Sequence, residues 1–181
     1  MVTVVTAPEK INFPDDAIKI FLAGGIQKCG DWQRSLVEYF RKNNFKENIY
    51  IINPRRDNFP IDDPNAAEEQ ITWEFEMLEQ CDMFTMCFNS SESDQPICFY
   101  ELGRNIEKIK QRFPCTWMNR IVVTSDKNFK RCQDVVIQTR LATNGQVEVN
   151  LSDSENIVPS HFQHIIEKKS LVDEIRFVNK V

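Results

Sequence analysis

The sequence lacks the patterns that mark several large classes of protein. None of its six cysteines forms a Cys-x-x-Cys pair, no apolar run reaches membrane-spanning length, and no signal peptide is recognisable. Several of the cysteines fall at positions predicted to be buried, which is typical of reduced thiols and not of a disulfide framework or a zinc site. We therefore expect a cytoplasmic or nuclear protein with no membrane partner.

An excess of positive charge is also missing. The 181 residues include 22 Lys and Arg against 27 Asp and Glu, which gives a net charge of −5. This balance disfavours a broad interface with a phosphate backbone, so a nucleic-acid duplex is not expected as a partner. Hydrophobic residues make up 41% of the chain without a break in composition, so we expect residues 1–181 to form a single domain.

Glycine is scarce, and the five glycines include one adjacent pair, Gly24-Gly25. This pair follows a predicted strand at 17–23 and opens a turn that runs to Gly30, before a helix capped by Asp31. Such a turn offers free backbone amides at the carboxyl end of a strand, where anionic groups bind. The GxGxxG and P-loop patterns are both absent, so binding of a dinucleotide or a nucleoside triphosphate by those routes is not expected.

Predicted strands alternate with predicted helices along the chain. The strands are residues 17–23, 48–52, 82–88, 120–124 and 147–151, and the first thirteen residues are a further strand or an extended lead-in. The alternation predicts an α/β fold, a flavodoxin/Rossmann-like three-layer sandwich with a five-stranded, mostly parallel sheet of order 2-1-3-4-5. In this arrangement the ligand crevice lies where the first and third strands part, beyond their carboxyl ends.

Two glutamates are predicted to approach this crevice from different helices. The predicted buried stripe of the helix that ends near Cys81 is Ala67, Ile71, Phe75 and Leu78. Glu74 lies at the edge of that stripe. Glu101 falls in the first turns of a helix that begins at Pro96, where free amides favour an ionised carboxylate. A glutamate in so acidic a chain is more often a solvated helix residue, and that interpretation stays open at this point.

Six short motifs occur in an order and spacing that resemble those of a known family. They are IFLAGGI (20–26), DWQ (31–33), NPRRD (53–57), QITWE (70–74), CD (81–82) and PICFYELG (96–103). With these motifs the chain resembles the nucleoside 2-deoxyribosyltransferase-like proteins, most clearly over residues 18–151. The resemblance implies transfer or hydrolysis at the anomeric carbon of a nucleoside.

The resemblance also implies roles for individual residues. The Glu of the Glu-Leu-Gly motif attacks the anomeric carbon and forms a glycosyl ester, and Glu101 matches it. Glu74 matches an acidic residue of the preceding helix, which is an Asp in well-studied transferases. A further family Asp is matched loosely by Asp94, while Gln95 occupies the spacing that fits best. The candidate substrate-binding residues are Phe21, where the family often has Tyr, with Gly24, Gly25, Trp32, Arg55, Asp57, Asp82, Asn89 and Asp94.

Three functions are compatible with these residues. The first is a transferase that moves a (deoxy)ribosyl group between bases, and the second is an N-glycosidase acting on a nucleoside or a nucleoside 5′-monophosphate. In the second case, Lys28, Arg55 and Arg56 would bind the phosphate of the nucleotide. The alternative is that these residues only form ion pairs with nearby aspartates. The third is a nucleotide-binding sensor without catalysis, which the presence of both Glu74 and Glu101 disfavours.

Expectations about cofactors and assembly complete the sequence-based hypothesis. The acidic residues near the predicted site come from dispersed elements without an accompanying His or Cys, so neither a metal nor a cofactor is expected. The resemblance implies that a neighbouring subunit helps to close the pocket, and the aromatic side chains of Trp73, Phe75 and Tyr100 suit such a contact. We therefore expect a homodimer or a larger homo-oligomer.

Overall fold

The computed structural model describes the backbone of residues 1–178 and the side chains of residues 1–171. Its strands are β1 (Val2–Thr6), β2 (Ile18–Gly24), β3 (Ile49–Asn53), β4 (Met83–Phe88), β5 (Ile121–Asp126) and β6 (Val149–Ser152). Its helices are α1 (Trp32–Lys42), α2 (Ala66–Gln80), α3 (Pro96–Arg112), α4 (Cys132–Ala142) and α5 (Ile157–Val178), with a 3-10 turn at Trp117–Asn119. The strands and helices alternate as the sequence predicts.

The described strands form one parallel sheet in the order β1-β3-β2-β4-β5-β6. The predicted count of five strands is wrong, because β1 adds a sixth strand beside β3, with Val2 opposite Ile49. The other five strands keep the predicted relative order. The β-branched run at residues 2–6 favours a strand, whereas Pro8 and Pro14 soon after it obscured that signal.

Helices cover the sheet on both faces, which confirms the predicted layer arrangement. Helices α1 and α5 pack on one face around Leu36, Phe40 and Ile165, and α2, α3 and α4 pack on the other. Every residue of β4 is buried, as expected for a central strand of a parallel sheet. None of the described helices is both long and apolar enough to cross a membrane. The six cysteines all lie within the described residues and are free thiols.

Strands β2 and β4 are neighbours at the centre of the sheet, and the chain leaves them in opposite directions. From β2 the chain runs through α1 to β3, which lies on one side of β2 in the sheet. From β3 it runs through α2 to β4, which lies on the other side of β2. The turn after β2 and the loop after β4 therefore diverge and leave a crevice at their carboxyl ends. This is the place predicted for the ligand.

Helix α2 is rotated relative to the prediction. Ile71 is 66% exposed and Phe75 is also exposed, whereas Trp73 is only 3% exposed and donates its indole N–H to the Glu9 carbonyl at 2.7 Å. Ala66, Trp73 and Met77 have helical spacing too, so α2 has two apolar faces. Packing against the sheet and the lead-in selects the face with the Trp and leaves the predicted stripe exposed except at Leu78.

Candidate active site

A cavity of about 260 Å³ lies in the crevice beyond β2 and β4. Its floor comes from β2, one wall from the glycine turn, and the other wall from the start of α3. The lining residues are Phe21, Ala23, Gly24, Gly25, Ile26, Gln27, Pro54, Glu74, Ser93, Gln95, Pro96, Ile97, Cys98 and Glu101. The fold thus brings together five of the predicted site residues, namely Phe21, Gly24, Gly25, Glu74 and Glu101.

Glu101 is the sixth residue of α3 and lines the cavity with most of its surface buried. The pKa of its carboxyl is raised to about 7, chiefly by burial and also by the nearby charge of Glu74, while Arg104 acts in the opposite direction. The predicted stabilisation of the carboxylate by the helix N-terminus is therefore wrong. Position six lies beyond the first turn, where that effect fades, and desolvation dominates instead.

Glu74 reaches the same cavity from α2. Burial raises the pKa of its carboxyl, and two groups oppose that shift, a hydrogen bond from Gln70 and the charge of Arg56. The Gln70 amide nitrogen donates to Glu74 Oε1 at 2.6 Å and to the Pro54 carbonyl at 2.7 Å. Gln70 therefore fixes the Glu74 carboxyl relative to the loop that follows β3.

The backbone of the glycine turn packs tightly against neighbouring residues, which accounts for its two adjacent glycines. A β-carbon at Gly24, whose φ is +151°, would collide with the Cys87 carbonyl, and one at Gly25 would lie 2.5 Å from Cys29 Sγ. Trp32 is buried behind this turn and donates its indole N–H to the Gly25 carbonyl at 3.0 Å. The structure therefore places Trp32 outside the cavity, as a support for the turn.

Two predicted binding residues of the 53–57 motif also lie outside the cavity. The Arg55 guanidinium donates to the carbonyls of Gly30 at 3.0 Å and Cys29 at 3.2 Å, so it ties down the end of the glycine turn. Asp57 is exposed and forms an ion pair with Arg34 at 2.7 Å. Both residues therefore organise the chain around α1.

Two further predicted aspartates are not brought to the cavity. Asp82 precedes β4, so it lies at the amino end of the strands, opposite the crevice, where it accepts a hydrogen bond from the Lys19 backbone. Asp94 is exposed and pairs with Lys130 at 2.7 Å, and the hydrogen bond from Lys130 lowers the pKa of its carboxyl. Neither carboxylate is therefore in position to act on a ligand in the cavity.

Gln95 lies on the cavity wall. It has the spacing from Glu101 that fits the family Asp best, whereas Asp94 was only a loose match to that Asp. The Gln95 side chain is buried and its amide nitrogen donates to the Asn89 carbonyl at 2.7 Å. Asn89, another predicted binding residue, is buried beneath this contact and lies behind the cavity wall. The sequence indicated Gln95 only through its spacing from Glu101, whereas the structure makes it a wall residue.

Two further residues, one behind the cavity wall and one on it, were missed by the sequence-based hypothesis. Gln70 carries a signal that identifies it, because it precedes Glu74 by four residues and such pairs face each other on a helix. Cys98 is among the cysteines predicted to be buried, and burial raises the pKa of its thiol, but the residue also lines the cavity one turn before Glu101. Within residues 1–171, no group of three His, Cys, Asp or Glu side chains is placed to hold a metal ion.

Comparison with known proteins confirms the resemblance. Residues 17–116, more than half of the chain, match the model of a family described as nucleoside 2-deoxyribosyltransferase like. This region contains β2 to β4, the glycine turn, both cavity glutamates and the whole of α3. The search of curated proteins gave no match. The chain belongs to the nucleoside 2-deoxyribosyltransferase-like family.

Proposed function

We propose that the protein transfers a (deoxy)ribosyl group between nucleobases through a covalent intermediate on Glu101. The observation that carries this proposal is the convergence of Glu74 and Glu101 on one cavity in a member of this family. Two carboxyl groups at one site are what a retaining displacement at an anomeric carbon requires. The apolar part of the lining, which includes Phe21, Ile26 and Ile97, suits the faces of a base and a sugar.

The proposed reaction has two displacements. In the first, the ionised Glu101 carboxylate attacks C1′ and forms an ester, while the C1′–N bond breaks and its electron pair goes to the base nitrogen. Glu74 in its protonated form donates a proton to the departing base. In the second, a nitrogen of the incoming base attacks C1′, the Glu101 ester bond breaks, and the proton of that nitrogen returns to Glu74.

The raised pKa values of both carboxyl groups support a site that retains one proton. A carboxyl group with an ordinary pKa would be ionised at neutral pH and could not act as an acid, whereas burial raises the pKa of both Glu74 and Glu101. Glu101 has a pKa of about 7, so a large share of the protein has Glu101 ionised just above neutrality. The charge of one group opposes ionisation of the other, which favours a state with a single shared proton.

A second copy of the chain is proposed to complete the site. Ile71 and Phe75 on α2 and Ile97 and Tyr100 on α3 are large, exposed apolar residues, and Ile97 also lines the cavity. Exposed apolar side chains of this size beside a cavity suit a surface that a partner covers. We therefore propose a homodimer or larger assembly in which residues 1–181 act as one domain per subunit.

The decisive experiment compares wild type with Glu101→Gln. Base release from a panel of nucleosides and nucleoside 5′-monophosphates is followed by chromatography, with and without a second base. We expect base exchange in wild type and a loss of about 10³-fold or more in Glu101→Gln, since Gln cannot form the ester. Release that needs no acceptor base would identify a hydrolase with the same intermediate. A folded Glu101→Gln protein that exchanges bases at the wild-type rate would refute the covalent mechanism.

A further inference from the structure

His161 on α5 is completely buried, although its ring is polar. Its Nδ1 lies 2.8 Å from Oγ1 of Thr124 on β5, and Thr124 is completely buried as well. Its Nε2 is a buried atom that finds no hydrogen-bond partner among the described residues. An apolar ring would fill the same space without leaving a nitrogen unpaired, so packing alone does not account for a histidine here.

The imidazole of His161 is neutral. Burial lowers its pKa to about 3, and the charge of His164 acts in the same direction. A neutral imidazole has one nitrogen that donates and one that accepts, and a threonine hydroxyl can pair with either. The hydrogen bond to Thr124 therefore persists throughout the physiological pH range, and it fixes the rotation of the ring.

The ring that Thr124 orients packs against Trp32 at the start of α1. The two ring centroids are 5.8 Å apart and the ring planes are inclined at 80°, which is an edge-to-face contact. Trp32 in turn donates its indole N–H to the Gly25 carbonyl at 3.0 Å, and a β-carbon on Gly24 would lie 2.7 Å from its Cζ2. Because both glycines line the cavity, a displacement of the indole would displace the cavity wall.

The register of the sheet explains how His161 comes to lie beside Trp32. Gly24 on β2 pairs with Cys87 on β4, and Cys87 pairs with Thr124 on β5. These three residues form one row across the sheet, about 10 Å from end to end. Trp32 lies against Gly24 at one end of the row, and His161 bonds Thr124 at the other end. The two rings therefore connect β5 to the glycine turn.

The glycine turn is held at both of its ends. Arg55 binds the carbonyls of Cys29 and Gly30 at the end of the turn, and Trp32 holds the start. Trp32 and Arg55 both lie within residues 17–116, which match the family model, whereas Thr124 and His161 lie beyond them. The start of the turn thus depends on a part of the chain that the family match does not cover.

We propose that His161 is a positioning residue, whose ring holds Trp32 against the glycine turn and so keeps the turn in the conformation that binds the substrate. It acts through Trp32, because His161 is not among the residues that line the cavity. This inference rests on the proposed function, since it takes the cavity as the nucleoside site. It adds β5 and α5 to the elements that shape that site.

Exchange of the indole protons with solvent tests this support without any substrate. The 15N-labelled protein has three indole N–H groups, and Trp32→Phe and Trp73→Phe assign two of them. Trp73 is the internal reference, because its indole N–H donates to the Glu9 carbonyl on the opposite face of the sheet. We expect His161→Ala to speed exchange at Trp32 at least about tenfold relative to Trp73. Thr124→Val, which keeps the shape but removes the hydroxyl, should raise the same ratio about threefold or more.

Ile165→Ala is the matched control. Ile165 is also completely buried on α5, one turn after His161, so its truncation destabilises the helix packing without altering the bond to Thr124. The exchange ratio of Trp32 to Trp73 should stay within about twofold of wild type in this variant. A rise equal to that of His161→Ala would show that any loosening of α5 has the same effect, which overturns a specific role for His161.

The kinetics of base exchange test the consequence for the substrate. His161→Ala should raise KM about tenfold and leave kcat within about threefold, because the glycine turn contacts the ligand whereas Glu74 and Glu101 come from α2 and α3. A loss of folded protein alone would lower kcat and leave KM unchanged. Thr124→Val should raise KM in the same direction, so the test holds even where His161→Ala does not fold.

Two further results would overturn the inference. They are an exchange ratio within about twofold of wild type in both His161→Ala and Thr124→Val, and a raised ratio with an unchanged KM. Base release by wild type decides the proposed function separately, since the exchange ratio needs no substrate. A raised ratio in a protein that releases no base refutes only the catalytic proposal, whereas base exchange with an unchanged ratio refutes only the role of His161.

Discussion

Glu74 on α2 and Glu101 on α3 line the same cavity, although 26 residues of helix, strand and loop separate the two glutamates in the chain. They meet because α2 leads into β4, and β4 leads into the loop before α3. Both helices therefore present a side chain at the central crevice. The fold stabilises neither charge fully, and this is the condition under which one carboxyl group acts as an acid while the other acts as a nucleophile.

Glu101 is expected to reduce the stability of the folded protein at neutral and higher pH. Its pKa rises from an ordinary value of 4.5 to about 7, so between these values the folded state keeps a proton that the unfolded chain has lost. Stability therefore falls as the pH rises through this window, by up to about 3 kcal/mol at 1.36 kcal/mol per pKa unit. We expect Glu101→Gln to be more stable than wild type by roughly 1–3 kcal/mol at pH 8 and nearly equal to it at pH 4.

Urea unfolding at the two pH values measures this difference. Glu107→Gln, on the exposed side of the same helix, is the matched control and should leave the pH dependence as it is in wild type. A Glu101→Gln protein that is less stable than wild type at pH 8 would show that the Glu101 carboxylate is stabilised by the fold, contrary to its burial.

Glu74→Gln is expected to slow base release and to change its pH dependence. The loss of the proposed acid should reduce the rate by about 10²–10⁴-fold, and by less for bases that leave readily without protonation. In addition, Gln has no proton to lose in this pH range, so the falling limb of kcat/KM that reports ionisation of Glu74 should disappear. The rising limb reports ionisation of Glu101 and should stay above 4.5, because burial is the larger cause of the raised pKa and remains. A falling limb that persists would show that another group supplies the proton.

Gln70 is expected to act through Glu74. Gln70→Met removes the hydrogen bond to Glu74 Oε1 and the second one to the Pro54 carbonyl. The bond from Gln70 lowers the pKa of Glu74, so its loss should raise that pKa further and release the carboxyl from its position. We expect kcat to fall about tenfold, a loss of roughly 1.4 kcal/mol, with little change in melting temperature. Gln80→Met, on the exposed end of the same helix, is the control and should keep wild-type kcat.

Asp94 is expected to be dispensable for the chemistry. Its carboxylate is exposed and held by Lys130 outside the cavity, so Asp94→Asn should keep kcat/KM within about twofold of wild type, as for most surface changes. Gln95→Met in the wild-type background provides the contrast, since it alters the adjacent residue on the wall. A tenfold or larger loss in Asp94→Asn would place that carboxylate at the site and make it the candidate acid instead of Glu74.

Much of the site was predictable because motif order and topology determine where strand ends meet. Alternating elements placed the glycine turn and the loop before Glu101 on either side of one crevice, and Phe21, Glu74 and Glu101 followed from the motifs. Asp82 was misplaced although it opens the predicted strand 82–88, because the first residue of a parallel strand lies at the amino end of the sheet and the crevice lies at the carboxyl end. β4 begins at Met83, which leaves Asp82 at that amino end.

Other errors came from effects that only tertiary structure decides. Two apolar faces on α2 fit the same helical period, and the contact of Trp73 with Glu9 selected between them. Trp32 and Arg55 belong to motifs of the family, but their hydrogen bonds point to the backbone of the glycine turn and not to the cavity. Residues that shape a binding loop from behind carry the same sequence signal as residues that contact the ligand.

Assembly is the last prediction, and it concerns the face of α2 and α3 beside the cavity. Ile71 and Phe75 are exposed there, and the Arg104 guanidinium lies 4.2 Å from the Phe75 ring centroid, which covers only part of that ring. Light scattering of active wild type at micromolar concentration should give twice the monomer mass or more. Ile71→Asp should convert the protein towards monomer and reduce base release together, because a charge buried in an apolar contact is costly and the cavity loses its cover. Leu141→Asp, at an equally exposed apolar position on α4, is the control and should keep both mass and activity. Fully active monomeric wild type would show that each chain closes its own site.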